Sequence, residues 1–134
     1  MKRLFAVAIV AALLLAGCAV KYRTDITHEE IVTAYEEAGY EVSSKIYDDK
    51  LDYGQIGYVQ ADHPDGDYIY FYIFETEKEA KAYKEEFHHP VMTGLFSVIY
   101  GQPSWQRMEV YGCVLVEYDQ PEHASIFEQL VKAK

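Results

Sequence analysis

Thirteen tyrosines in 134 residues are the most prominent chemistry on this chain. In Tyr68-Ile69-Tyr70-Phe71-Tyr72-Ile73-Phe74 the tyrosines fall on every second residue, which puts Tyr68, Tyr70 and Tyr72 on one face of a strand. Tyr111, Tyr58 and Trp105 are expected to join them on that sheet face. Rigid aromatic rings with a polar tip are common anchors for sugars, peptide chains and protein partners. Tyr68, Tyr70, Tyr72, Tyr111 and Trp105 are therefore the candidate ligand-binding set. The competing reading of the same residues is a tyrosine-rich core beneath a helix.

Other reactive side chains give weaker patterns. Asp62, Asp65 and Asp67 surround Gly66, and Asp48, Asp49 and Asp52 lie in the preceding loop. A hard cation takes several oxygens from one flexible loop, but the EF-hand spacing is absent and Asp and Gly are ordinary turn residues. His88 and His89 are neighbours that diverge at a helix end, where the dipole accounts for them. A zinc site would need His28, His63 or His123 as well, without motif spacing. No metal and no cofactor are expected. Cys113, between Gly112 and Val114, has no basic partner nearby and reads as a core thiol within a strand. Gly94-Leu95-Phe96-Ser97-Val98 lacks the second glycine of a nucleophile elbow, and no phosphate-cradling glycine loop occurs. No residue can be assigned a catalytic role.

The elements that must hold these residues are well punctuated. Thr27-His28-Glu29-Glu30 and Thr76-Glu77-Lys78-Glu79 are capping boxes, predicting helices over 28–38 and 77–87. Ile31, Ala34, Tyr35 and Ala38 form the inner stripe of the first, which Gly39 ends; Ala80, Tyr83 and Phe87 form that of the second. Pro121 opens a third helix over 121–132, with Ala124, Phe127, Leu130 and Val131 inward. Strands are predicted at 40–47, 54–61, 68–74, 95–100 and 105–118. In the last, Met108, Val110, Val114 and Val116 would share a face, with Gly112 as a bulge. The 68–74 strand is apolar or aromatic on both faces and so central, its Ile/Phe face meeting the helices. The order α-β-β-β-α-β-β-α with short links implies an α+β two-layer sandwich, a mainly antiparallel sheet with helices on one face.

Length allows one domain. A net charge of -10 excludes a nucleic-acid partner, since phosphates require a basic face. The start is different in kind. Met1-Lys2-Arg3 precedes an apolar run from Leu4 to Leu15, followed by Ala16-Gly17-Cys18. A basic start, about 7–15 apolar residues and small residues before a cut describe a secretory signal. The run is shorter than the ~20 residues a stable membrane span needs.

Leu15-Ala16-Gly17-Cys18 resembles the lipobox of bacterial lipoproteins. The resemblance implies a signal peptide over 1–17, acylation of Cys18 by palmitate-like chains, and membrane attachment by lipid on the extracytoplasmic side. That would be the cell membrane of a monoderm or, because Ala19 and not Asp follows, the outer membrane of a diderm. Cleavage would remove Lys2 and Arg3 and no acid, taking the net charge from -10 to -12. The lipid, not the acidic body, must then hold the protein to an anionic surface. Residues 18–25 read as lipidated cysteine and short tether, and 26–134 as the single domain.

These features lead to an extracytoplasmic binding or interaction module without catalysis, its partner a protein, peptide or cell-wall glycan. The alternatives are an enzyme acting on envelope polymers through carboxylates of the acidic loops, and a structural assembly subunit.

Overall fold

Thr27 and Thr76 each begin a helix through the same reciprocal pair of hydrogen bonds. Glu30 N donates to Thr27 Oγ1 at 3.2 Å and Thr27 N to Glu30 Oε2 at 2.8 Å; Glu79 N donates to Thr76 Oγ1 at 3.2 Å and Thr76 N to Glu79 Oε2 at 3.0 Å. Both capping boxes are thus closed. In this computed structural model, which describes residues 22–87 and 107–132, they start α1 (His28–Glu37) and α2 (Glu77–Phe87). Gly39 then ends α1 with φ 88°, its N–H bonded to Glu36 O and that of Tyr40 to Tyr35 O, a Schellman pairing that only a left-handed residue permits.

The strands are β1 (Glu41–Ile46), β2 (Gln55–Asp62), β3 (Tyr68–Phe74), β4 (Arg107–Tyr111) and β5 (Val114–Tyr118), and α3 (Pro121–Lys132) closes the described chain. They form one antiparallel sheet in the order β1-β2-β3-β5-β4. The α+β class and the element order are those predicted. β3 is central, and Ile69 and Phe71 are fully buried on the face that meets α1 and α3. Ile31 and Tyr35 of α1 and Phe127 and Val131 of α3 complete that core.

Three local expectations are corrected. First, the predicted long strand over 105–118 is a hairpin. Gly112, at φ 58°, occupies the first position of a two-residue turn, where glycine is favoured, and Tyr111 pairs with Val114. The reversal separates the supposed common face: Met108 and Val110 lie with Leu115, while Val114 and Val116 lie with the opposite core. Cys113 therefore sits in the turn and not within a strand, its Sγ 3.6 Å from Glu75 O.

Second, the two-layer description fits the main core, but α2 adds a partial third layer. Its Ala80 and Tyr83 pack with Phe74, Leu115, Met108 and Val110, which share the sheet face opposite α1 and α3. Third, part of the expected tether belongs to the domain. Arg23 N donates to Val131 O at 2.8 Å, and its guanidinium pairs with Glu30 at 2.9 Å and Asp25 at 3.0 Å. Tyr22 meets Tyr111 edge-on at 5.7 Å. Residues 22–25 are a strap, leaving Ala19, Val20 and Lys21 between it and Cys18.

The predicted strand at 95–100, like Cys18, His88, His89 and Trp105, lies outside the described residues. Among those described, no helix is long and apolar enough to cross a membrane.

Candidate functional site

Register assembles the aromatic face. Tyr58 of β2 pairs directly with Tyr72 of β3, and Gln60 with Tyr70. Cross-strand neighbours on one face stand within ring-contact distance, diagonal ones included. The Tyr58 and Tyr70 rings are stacked, with centroids 5.5 Å apart and planes 10° from parallel. Tyr70 meets Tyr72 at 4.5 Å, Tyr72 meets Tyr83 of α2 at 5.0 Å, and Tyr83 meets Phe87 at 4.4 Å. Tyr47, just past β1, joins Tyr58 at 6.2 Å, with Lys45 Nζ 5.9 Å from the Tyr47 ring centre. Tyr53 closes the other end, 5.2 Å from Phe87. The result is a continuous row of seven rings from β1 to α2.

The row is half-buried from Tyr47 to Tyr83 and open at its Phe87–Tyr53 end. Tyr72 and Tyr83 are half-buried, whereas Tyr53 is 46% and Phe87 50% exposed. Tyr53, Phe87, Tyr83, Leu51 and Lys50 line a shallow groove of about 510 Å³. Tyr53 adopts φ 63° and ψ 11°, a left-handed conformation that costs an aromatic residue on the order of 1–2 kcal/mol. Gly54 follows at φ 83°, where any side chain would strike Glu79. Glu79 is thus fixed three ways: it caps α2, it lies over Gly54, and it pairs with Lys50 at 3.0 Å. Lys50 and Thr76 together hold the Glu79 carboxyl below the usual range. This clamp anchors the loop that carries Leu51 and Tyr53.

Beneath the row lies one buried acid. Glu117 of β5 is 6% exposed, and the Tyr72 hydroxyl donates to its Oε2 at 2.7 Å. Burial pushes the Glu117 carboxyl up, against the opposing effect of the Tyr72 hydrogen bond. Burial likewise raises the tyrosines, Tyr70 to about 12 and Tyr72 further. These phenols stay protonated at neutral pH, as hydrogen-bonding groups and not nucleophiles.

Of the predicted site residues, Tyr70 and Tyr72 are in the row. Tyr68 shares their face at the far end of β3, 38% exposed, opposite Asp62. Tyr111 does not join them. The hairpin turns it to the other face, where it packs on Phe127 at 5.3 Å and donates to Glu109 at 2.9 Å. Sequence reasoning placed Tyr83 and Phe87 in a core stripe, and it missed Tyr53 and Glu117. The one available signal for Glu117 was an acid within the apolar run Val114-Leu115-Val116-Glu117-Tyr118.

A second polar cluster stands at the opposite end of the sheet. His123 is 3% exposed, with Nδ1 2.6 Å from the Tyr40 hydroxyl and Nε2 3.4 Å from Asp67 Oδ2. Both ring nitrogens thus have a polar partner. The His63 ring lies 5.0 Å from it. Tyr40 is raised chiefly by burial, away from the ionised form a nucleophile needs. The cluster ties the start of β1 and the β2–β3 turn to the first turn of α3. Among the described residues, no group of three His, Cys, Asp or Glu is placed to hold a metal ion.

The two acidic loops also separate. Asp62 lies opposite Glu41 and Gly57 opposite Ile46, so Asp48–Asp52 and Asp62–Asp67 flank opposite ends of β2. Eight strand residues span roughly 24 Å, far beyond the roughly 5–9.5 Å at which two carboxyls share a glycosidic bond. No protein-family model, curated protein or solved structure matches the chain.

Proposed function

We propose that this chain is a lipid-anchored, extracytoplasmic binding module, held to the membrane through Cys18 and without catalytic activity. Its ligand is a glycan or peptide chain of the cell envelope, bound on the aromatic face. The observation that carries the reading is the unbroken row of seven rings, ending in a groove lined by exposed Tyr53 and Phe87. Stacked Tyr58 and Tyr70 use their faces on each other and offer edges and hydroxyls. The groove end supplies free aromatic surface for a sugar ring or an apolar side chain. A strained aromatic on a clamped loop is the kind of feature that concentrates at binding sites.

The anchor is supported by the lipobox and by the short chain between Cys18 and the strap. The non-catalytic reading is supported by tyrosines held in their neutral form and by acidic loops at opposite ends of the sheet.

The test uses detergent-solubilised protein titrated with soluble cell-wall glycopeptide fragments, followed by calorimetry. Saturable binding is expected, weakened about tenfold or more, or ~1.4 kcal/mol, in Tyr53→Ala and in Phe87→Ala. Absence of saturable binding overturns the ligand class, and binding unchanged by both substitutions overturns the site. Intact mass measurement of the native product checks the anchor, which predicts loss of residues 1–17 and an acylated Cys18.

A further inference from the structure

The strap settles where the chain leaves the domain. Three contacts hold it: Arg23 N on Val131 O, the Tyr22 ring on Tyr111, and the backbone of Thr24 against Gly112, where an added Cβ would lie 3.0 Å from Thr24 O. All three lie at one end of the molecule, made of the β4–β5 turn and the C-terminal end of α3. From Cys18 to Tyr22 the chain spans at most about 14 Å fully extended. A lipid on Cys18 therefore cannot sit far from that end.

Arg23 lies on the strap and Lys132 at the end of α3, and Lys21 and Lys134 are near them in sequence. Arg23 and Lys132 have carboxylate partners in Asp25, Glu30 and Glu128, and the acidic Asp48–Asp52 loop stands at the same end of the sheet as the β4–β5 turn. The other end carries Asp62, Asp65 and Asp67 around the β2–β3 turn, with Glu122 at the start of α3. Acidic residues thus stand at both ends, and the strap, not charge, sets the orientation. Tyr22, 47% exposed, has the amphipathic ring that suits the headgroup level.

Resting on the lipid-anchored reading above, we infer that the strap, the β4–β5 turn and the end of α3 form the membrane-facing surface, its partner a phospholipid bilayer. The β2–β3 turn then points away from the bilayer. The aromatic face then stands side-on to the bilayer, with the Leu51–Tyr53 loop at the bilayer end of the sheet.

The experiment uses the full lipidated protein with Cys113→Ser, reconstituted in phosphatidylcholine vesicles with and without phosphatidylglycerol. A fluorophore is placed through Gln129→Cys near the end of α3, or through Asp65→Cys in the β2–β3 turn, both exposed positions. Lipids bearing a nitroxide headgroup act as quencher. Quenching is expected to be several-fold stronger at position 129 than at 65 on both kinds of vesicle. Equal quenching at both positions, or stronger quenching at 65, overturns the orientation. Protein that fails to sediment with vesicles overturns the anchor instead, so the two failures are distinct.

Discussion

The Tyr72 hydroxyl donates to the carboxylate of Glu117 across 2.7 Å, joining the central strand to its neighbour beneath the aromatic row. Burial keeps the Glu117 carboxyl above the ordinary glutamate value of 4.5 even with this bond in place. The folded protein thus holds that proton more tightly than the unfolded chain. The group's contribution to stability is full below the ordinary value and lost as pH rises through the raised one. Wild-type protein should lose stability relative to Glu117→Gln as pH climbs from acid toward neutral. Tyr72→Phe, which removes the bond favouring the anion, should move that window further up. Urea denaturation at a series of pH values checks both, and a difference that does not vary with pH would refute the assignment.

Tyr58 and Tyr70 stack almost parallel, so each ring gains from the other. A double-mutant cycle with Tyr58→Leu and Tyr70→Leu should show a coupling of about 0.5–1.5 kcal/mol beyond the additive loss. Additive losses in chemical denaturation would mean that the stack contributes only buried area.

Gly112 and Gly39 both have positive φ, at 58° and 88°, but only Gly112 has a neighbour in the way. Gly39→Ala meets nothing within 4 Å, so backbone strain alone should cost about 1–2 kcal/mol. Gly112→Ala adds a collision with Thr24, so it should cost more and loosen the strap. Thermal unfolding gives the first comparison. Faster amide exchange at Arg23, whose N–H is bonded to Val131 O, gives the second.

Tyr35 is fully buried, and its hydroxyl donates to His123 O at 2.6 Å, joining α1 to the first turn of α3. Tyr35→Phe keeps the ring and should cost about 1–3 kcal/mol, the penalty for a buried acceptor deprived of a partner. Glycopeptide binding should be unchanged in this variant, because α1 lies on the face opposite the aromatic row. A variant that loses binding and stability together would show that the two faces are coupled.

Local interactions made much of this protein readable from its residue order. Thr27 with Glu30 and Thr76 with Glu79 close their capping boxes within four residues, so the helix starts follow from spacing alone. The alternation over 68–74 likewise placed Ile69 and Phe71 in the core and Tyr70 and Tyr72 on the other face, since period two is a property of the strand itself. Contacts between distant segments were beyond such reading. A lone glycine in an alternating run is equally consistent with a bulge or a reversal, and the pairing of Tyr111 with Val114 resolves it, carrying Tyr111 off the aromatic face. A strand apolar on both sides shows that both are covered, without saying that α2 covers one of them. The groove and the strap arise the same way: Tyr53 meets Phe87 and Arg23 meets Val131 across long stretches of chain. Short-range hydrogen bonding and periodicity are written in adjacent residues, whereas register and packing depend on which surfaces fit once the whole chain has closed.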